Sequence, residues 1–156
     1  MSQLLMLDTN VLIFYARGQA TGTWLRERYH LEAPRGVLMT SRVVLAETRV
    51  FMDRKSAQGQ PWNDQKIKAL NAILDRLHII EITDTGIEQA YRNLVVFSEI
   101  TTKPARQMEG NDLWLAAAAQ ITGAVLVTCD KDFDHLHQHQ ITVEKYDPRQ
   151  PAQGSP

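Results

Sequence analysis

Four acidic residues, Asp8, Glu47, Asp112 and Asp130, stand where a chain of alternating strands and helices would gather them. Asp8 follows directly on the apolar run Leu4-Leu5-Met6-Leu7, and Asp130 lies two residues beyond Thr128, at the end of another such run. Asp112 opens the helical stretch leading into that second run, and Glu47 lies in a helical stretch that leaves the run at Val37. In an open parallel sheet, ligands bind beyond the carboxyl ends of the strands, where strand order reverses, so all four acids can meet on one edge. Carboxylates packed that closely raise one another's pKa and cannot all stay ionised cheaply. A divalent cation resolves the repulsion, and Mg²⁺ or Mn²⁺ suits oxygen donors and phosphate. One or two such ions beside a phosphodiester would activate a water and stabilise the leaving oxygen. The chemistry indicated is metal-dependent phosphoryl hydrolysis rather than covalent catalysis.

Each acid also suits a plainer role. Asp8 and Asp112 fit helix N-caps, Glu47 a solvated helix position, and Asp130 a turn within Cys129-Asp130-Lys131-Asp132-Phe133. Asp132 and Asp134 are further carboxylates, and either stands as an alternative to Asp130.

The elements that must position these residues follow the pattern of an α/β domain with a mostly parallel sheet. Strands are expected at 4–7, 37–40, 79–82, 124–128 and 141–144. Helices are expected at 9–16, 21–31, 42–54, 62–77, 84–100 and 112–122, with Ser41 as an N-cap, Thr83-Asp84 as cap signals and Gly123 just past a helix end. Residues 1–146 read as one domain and 147–156, with three prolines, as a frayed tail. The 156 residues, 44% hydrophobic and 22% charged, are enough to build a core without disulfides. The single cysteine, Cys129, excludes an internal bridge and fits a reducing compartment. Seventeen Lys+Arg against 18 Asp+Glu give a net charge of −1, which excludes a polybasic binder working by bulk charge. No apolar run approaches the roughly 18 residues of a membrane span, and no export signal is visible at Met1-Ser2-Gln3, so no membrane association and a cytoplasmic location are expected.

Four segments carry a resemblance. Leu7-Asp8-Thr9-Asn10-Val11-Leu12-Ile13, Ser41 through Glu47, Asn111-Asp112-Leu113-Trp114-Leu115-Ala116-Ala117 and Val127-Thr128-Cys129-Asp130-Lys131-Asp132-Phe133 together resemble the PIN-domain ribonucleases of the VapC toxin type, from about residue 4 to residue 146. The resemblance implies a single PIN-like α/β domain with a central five-stranded sheet flanked by helices, and an acidic pocket for Mg²⁺ or Mn²⁺. It implies Asp8 and Asp112 as principal metal ligands, Asp130 as a further ligand directly or through water, and Glu47 as a ligand or water-orienting group. Thr9, Asn10 and Thr128 resemble the polar residues that orient such carboxylates. An RNA substrate, a small VapB-like antitoxin that enters the acidic site, operator DNA reached only through the antitoxin complex, and a homodimer are likewise what the resemblance implies.

Lys103 and Arg106, in the loop before the Asp112 helix, are candidate RNA-phosphate contacts. Trp62, Arg54 and Lys55 offer stacking and charge in a connection that reads as exposed. His135, His137 and His139 recur at every second residue, which places them on one face of an extended segment, and they read as a solvated tract rather than a metal site. Cys129, Trp24 and Trp114 read as packing residues. Two other functions stay open on sequence: an α/β interaction module without turnover, and a haloacid-dehalogenase-like phosphatase. The latter needs an acid/base Asp two residues after its nucleophile, where this chain has Asn10.

Overall fold

Short β-branched and leucine-rich runs bounded by polar residues become strands here, the three central ones nearly buried on both faces and the two edge strands partly exposed. The computed structural model describes residues 3–102 and 108–149. Among them are β1 (Leu4–Leu7), β2 (Val37–Ser41), β3 (His78–Ile80), β4 (Val125–Thr128) and β5 (Thr142–Lys145). They form one sheet in the order β3-β2-β1-β4-β5, and every pairing is parallel. From β1 the chain steps to β2 and β3 on one side, then returns to β4 and β5 on the other. The switch point therefore lies between β1 and β4, whose register pairs Leu7 with Val127. The Asp8 N–H extends that ladder by donating to the Val127 carbonyl at 3.2 Å, and Thr40 Oγ1 donates to the Leu7 carbonyl at 2.7 Å from the β2 side. The end of β1 is thus tied from both flanks.

The helices are α1 (Thr9–Arg17), α2 (Ala20–Arg28), α3 (Arg42–Ala57), α4 (Asp64–Leu74), α5 (Ile87–Thr101) and α6 (Gly110–Thr122). Asp8 caps α1 through the Thr9 N–H, Ser41 Oγ caps α3 through the Val44 N–H, and Gly123, at φ 72°, closes α6 as its spacing predicted. Ala116 to Ala119, consecutive and therefore on every side of the helix, are all buried, so α6 is enclosed by the sheet and by neighbouring helices. Tyr91 of α5 stacks on Trp114 of α6 at 4.1 Å between centroids, fixing the first turns of α6 from outside.

Several boundaries differ from the sequence expectation for local reasons. Helix α2 ends at Arg28, where the chain turns through His30 at φ 53°. Helix α4 begins at Asp64 rather than at residue 62, because the Asn63 side chain caps it by accepting from the Lys66 N–H. Asp84 is turned back to accept from the Glu81 N–H, so α5 begins three residues later at Ile87. Helix α6 begins at Gly110, which puts Asp112 inside the first turn instead of at the cap. A 3-10 helix at Lys131–Leu136, between β4 and β5, was not anticipated.

Candidate active site

The β1–β4 switch point opens into a cleft of about 450 Å³ lined by Asp8, Glu47, Glu109, Asp112, Asp130 and Asp132, together with Thr9, Asn10 and Arg17. All four carboxylates singled out from sequence are brought together. Glu109, which the sequence does not single out, joins them. Asp130 and its alternative Asp132 both line the cleft.

Asp8 is the buried member, at 6% exposure. Its Oδ1 accepts from the Thr9 N–H at 2.7 Å, while Oδ2 accepts from Thr128 Oγ1 at 2.7 Å and Asn10 Nδ2 at 3.1 Å. Burial pushes its pKa up, these hydrogen bonds pull against that, and the charge of Asp130 adds to the rise. Asp112, half-buried in the first turn of α6, is pushed up to about 7, first by burial and then by the charges of Asp8, Asp130, Glu47 and Glu109. Glu47 reaches the cleft from α3 and is also raised, by burial and by Asp8 and Glu109. Asp130 caps the 3-10 helix by accepting from the Asp132 N–H at 2.9 Å, and its own N–H donates to Thr128 Oγ1. Thr128 therefore touches both Asp8 and Asp130.

One oxygen from each of Asp112, Asp130 and Asp132 lies within 4.8 Å of the others. This donor set is carboxylate oxygen, with neither histidine nor thiolate lining the cleft, and it fits a hard divalent ion. The buried Thr9 Oγ1, which has no hydrogen-bond partner among the described residues, is a further oxygen at the same edge.

Residues 5–138 match the sequence model of the PIN domain. The chain belongs to the PIN-domain family. It is 27% identical over 132 residues to Ribonuclease VapC1 of Haemophilus influenzae (strain R2866), covering 84% of this chain and 90% of that protein. Among solved structures, VapBC-1 from nontypeable Haemophilus influenzae is similar at 25% identity with a TM-score of 0.66, over 92% of this chain and 98% of that one. VapBC2 from Rickettsia felis shares the fold at 23% identity with a TM-score of 0.72, over 93% of this chain and 100% of that one.

In this PIN domain the remaining sequence candidates are dispersed. Lys103 and Arg106 lie outside the described residues. Trp62 is not exposed as expected: it is buried against Phe51, 5.3 Å between ring centroids, because the chain turns inward before Asn63 caps α4. Asp134 faces away from the cleft and pairs with Lys145 at 2.8 Å. The three histidines do not share one extended face. His135 lies in the 3-10 helix with Nε2 2.8 Å from Ser98 Oγ, and His137 follows it, with Nδ1 accepting from the Val143 N–H. His139 is exposed. Cys129 is half-buried with its thiol pKa pushed up, chiefly by burial, so a reactive thiolate is disfavoured there. Asn10 gives its amide N–H groups to Asp8 and Thr128, a bracing role that an acid/base group two residues after a nucleophile would not play.

Sequence reading also missed Tyr146, whose hydroxyl meets Asn10 Oδ1 from the end of β5. A lone tyrosine ahead of a proline-rich tail carries no spacing signal. Glu109 had one, since it immediately precedes the Gly110-Asn111-Asp112 turn.

Proposed function

We propose that this PIN domain is a metal-dependent endoribonuclease, the toxin of a toxin–antitoxin pair, with Mg²⁺ or Mn²⁺ as its cofactor. The observation that carries the reading is the meeting of Asp8, Glu47, Asp112, Asp130 and Asp132 in one cleft at the sheet's switch point. Its likeness to a protein named Ribonuclease VapC1 gives the substrate class.

Asp112, Asp130 and Asp132, with Asp8 lining the same cleft, would hold the divalent ion. When bound, the ion supplies charge to the phosphate and acidity to a water. Asp8 is kept in one orientation by Thr9, Asn10 and Thr128, so its carboxylate need not reorganise when substrate arrives. Glu47, on the α3 wall, orients the attacking water and takes its proton, a role its raised pKa suits. A similar structure described as a VapBC toxin-antitoxin system from Mycobacterium tuberculosis supports a small antitoxin as the controlling partner, and the VapBC2 structure from Rickettsia felis, bound to a DNA fragment from their promoter, supports operator DNA met through that complex. A homodimer and a cytoplasmic location belong to the same reading. Among the described residues no helix is long and apolar enough to cross a membrane.

The test is purified protein, free of antitoxin, incubated with total RNA in Mg²⁺ or Mn²⁺ with and without EDTA, alongside Asp8→Asn and Asp112→Asn. Cleavage abolished by EDTA and reduced at least about 100-fold in both variants is expected. Cleavage by Asp8→Asn at the wild-type rate would sink the assignment.

A further inference from the structure

A cation stands at the rim of the acidic cleft without an acidic partner. Arg17, the last residue of α1, lines the same cleft as the carboxylates, yet among the described residues it forms no ion pair with any of them. Its guanidinium instead lies over two aromatic rings, 5.8 Å from the centroid of Phe14 and 5.8 Å from that of Phe51. Two rings restrict a side chain that would otherwise be mobile, and they leave its five N–H donors unspent. Arg17 also lines a second, more enclosed cavity of about 230 Å³, whose walls include Arg26, Lys66, Asn63 and Glu32. Three cations there face one carboxylate, and that carboxylate is shared with Arg26 at 3.7 Å.

We propose that Arg17 and the basic groove beyond it form a phosphate-binding subsite for single-stranded RNA, taking the backbone next to the phosphodiester at the carboxylates. The inference rests on the ribonuclease reading and deepens it. An acidic cleft alone attracts no polyanion except through its metal, so a strand passing through needs cationic purchase on either side. Arg17 is the one residue that lines both the acidic cleft and the basic groove among the described residues, which makes it the hand-over point. A planar guanidinium lying over two ring faces suits the forked geometry of a phosphate, and Lys66, itself 5.9 Å from the Trp62 ring centroid, extends the positive line along α4.

The test separates binding from turnover. In an Asp112→Asn background with Mg²⁺ present, binding of a short fluorescein-labelled single-stranded RNA is followed by anisotropy across a salt series. Arg17→Gln, Arg17→Lys, Lys66→Gln and the distant exposed Arg92→Gln are compared, with a thermal melt of each. Arg17→Gln is expected to weaken binding roughly tenfold and to lower the slope of log K against log salt by about 0.7. Arg17→Lys keeps the slope, Lys66→Gln also lowers it, and Arg92→Gln changes nothing. Should Arg17→Gln melt early, Lys66→Gln against Arg92→Gln decides the question. Wild-type affinity and slope in both Arg17→Gln and Lys66→Gln overturn the subsite, while RNA cleavage by the unsubstituted enzyme leaves the ribonuclease reading standing. A poly-glutamate peptide that binds through Arg17, with RNA affinity unchanged by Arg17→Gln, assigns the groove to an acidic polypeptide and overturns it too. An unsubstituted protein that neither binds nor cuts RNA overturns both readings.

Discussion

The Tyr146 hydroxyl donates to Asn10 Oδ1 at 2.6 Å, and this contact decides which way the Asn10 amide faces. The Cys129 N–H donates to the same oxygen at 3.2 Å, so the amide nitrogen is turned towards Asp8 Oδ2 and Thr128 Oγ1. Tyr146 is itself fixed, buried at the end of β5 with its N–H donating to the Thr128 carbonyl. The orientation of the deepest carboxylate is therefore set from the far edge of the sheet. Asn10→Ala, which removes the donor to Asp8, is expected to weaken divalent-metal binding about 10- to 100-fold by calorimetric titration. Tyr146→Phe leaves the Cys129 contact in place, so it should cost about 1 kcal/mol in denaturant melts and weaken metal binding less than Asn10→Ala does. Equal effects of the two on metal binding would show that the tyrosine, and not the amide, braces Asp8.

The raised acids make a pH prediction whose direction can be worked out. Asp112 titrates at about 7 in the fold and near 3.9 in an unfolded chain, with burial as the first cause and neighbouring carboxylates as the rest. Between those values the folded protein holds a proton that the unfolded chain has released, so stability falls as pH rises from about 4 to 7 and levels off above. Asp8 and Glu47 are shifted in the same direction. Asp112 is only half-buried, and solvent screening reduces its part to on the order of 1–2 kcal/mol. In EDTA the melting temperature should be lower at pH 8 than at pH 5. Asp112→Asn should remove most of that difference, and Mg²⁺ or Mn²⁺ should restore stability at pH 8. A melting temperature in EDTA that rises between pH 5 and pH 8 contradicts a repulsive cluster.

Asp130 has two jobs that two substitutions separate. As the cap of the 3-10 helix it accepts from the Asp132 N–H, and as an acid it adds charge to the cleft. Asp130→Asn keeps a cap oxygen and loses the charge, so folding stability should change by less than about 0.5 kcal/mol while metal affinity drops. Asp130→Ala loses both and should cost a further 1 kcal/mol or so, read from paired melts and metal titrations. If both variants bind metal as the wild type does, Asp130 serves only as a cap.

Much of this arrangement is legible in the sequence, because strand ends in a parallel sheet are predictable places. Asp8 and Asp130 each follow an apolar run by at most two residues, and the sheet's switch point brings those two ends side by side. The line dividing legible from hidden is the range of the interaction. Ser41 and Gly123 act within their own turns, and their roles as caps could be read locally. Trp62 could not, because its burial depends on Phe51 of α3, outside its own connection. The shared face expected of the histidine tract is absent for a related reason: alternation suggests an extended segment, whereas Asp130 caps a 3-10 helix through its side chain, which takes in His135 and ends before His137. Tyr146 and Arg17 act on partners distant in sequence or through ring faces, and no spacing pattern announces either.

Gly22 links the helix layer to the site, and the sign of its replacement follows from comparing two magnitudes. A Cβ at Gly22 of α2 would lie 2.2 Å from the Phe14 carbonyl oxygen of α1, with the Phe14 carbonyl carbon at 3.2 Å. Alanine gains about 0.8–1 kcal/mol over glycine in a helix interior, but the clash is with backbone, which cannot rotate away as a side chain can. Relief requires α1 to move, and α1 begins at Thr9 and Asn10, beside Asp8. The clash should win, with Gly22→Ala destabilising the fold by a net ~1–3 kcal/mol, on the order of a 2–12 °C drop in melting temperature. Metal affinity should fall with it, since the Asn10–Asp8 contact moves with the start of α1. A Gly22→Ala protein that melts higher than the wild type, as helix propensity alone would have it, would show that the two helices slide freely and that their packing does not hold the site.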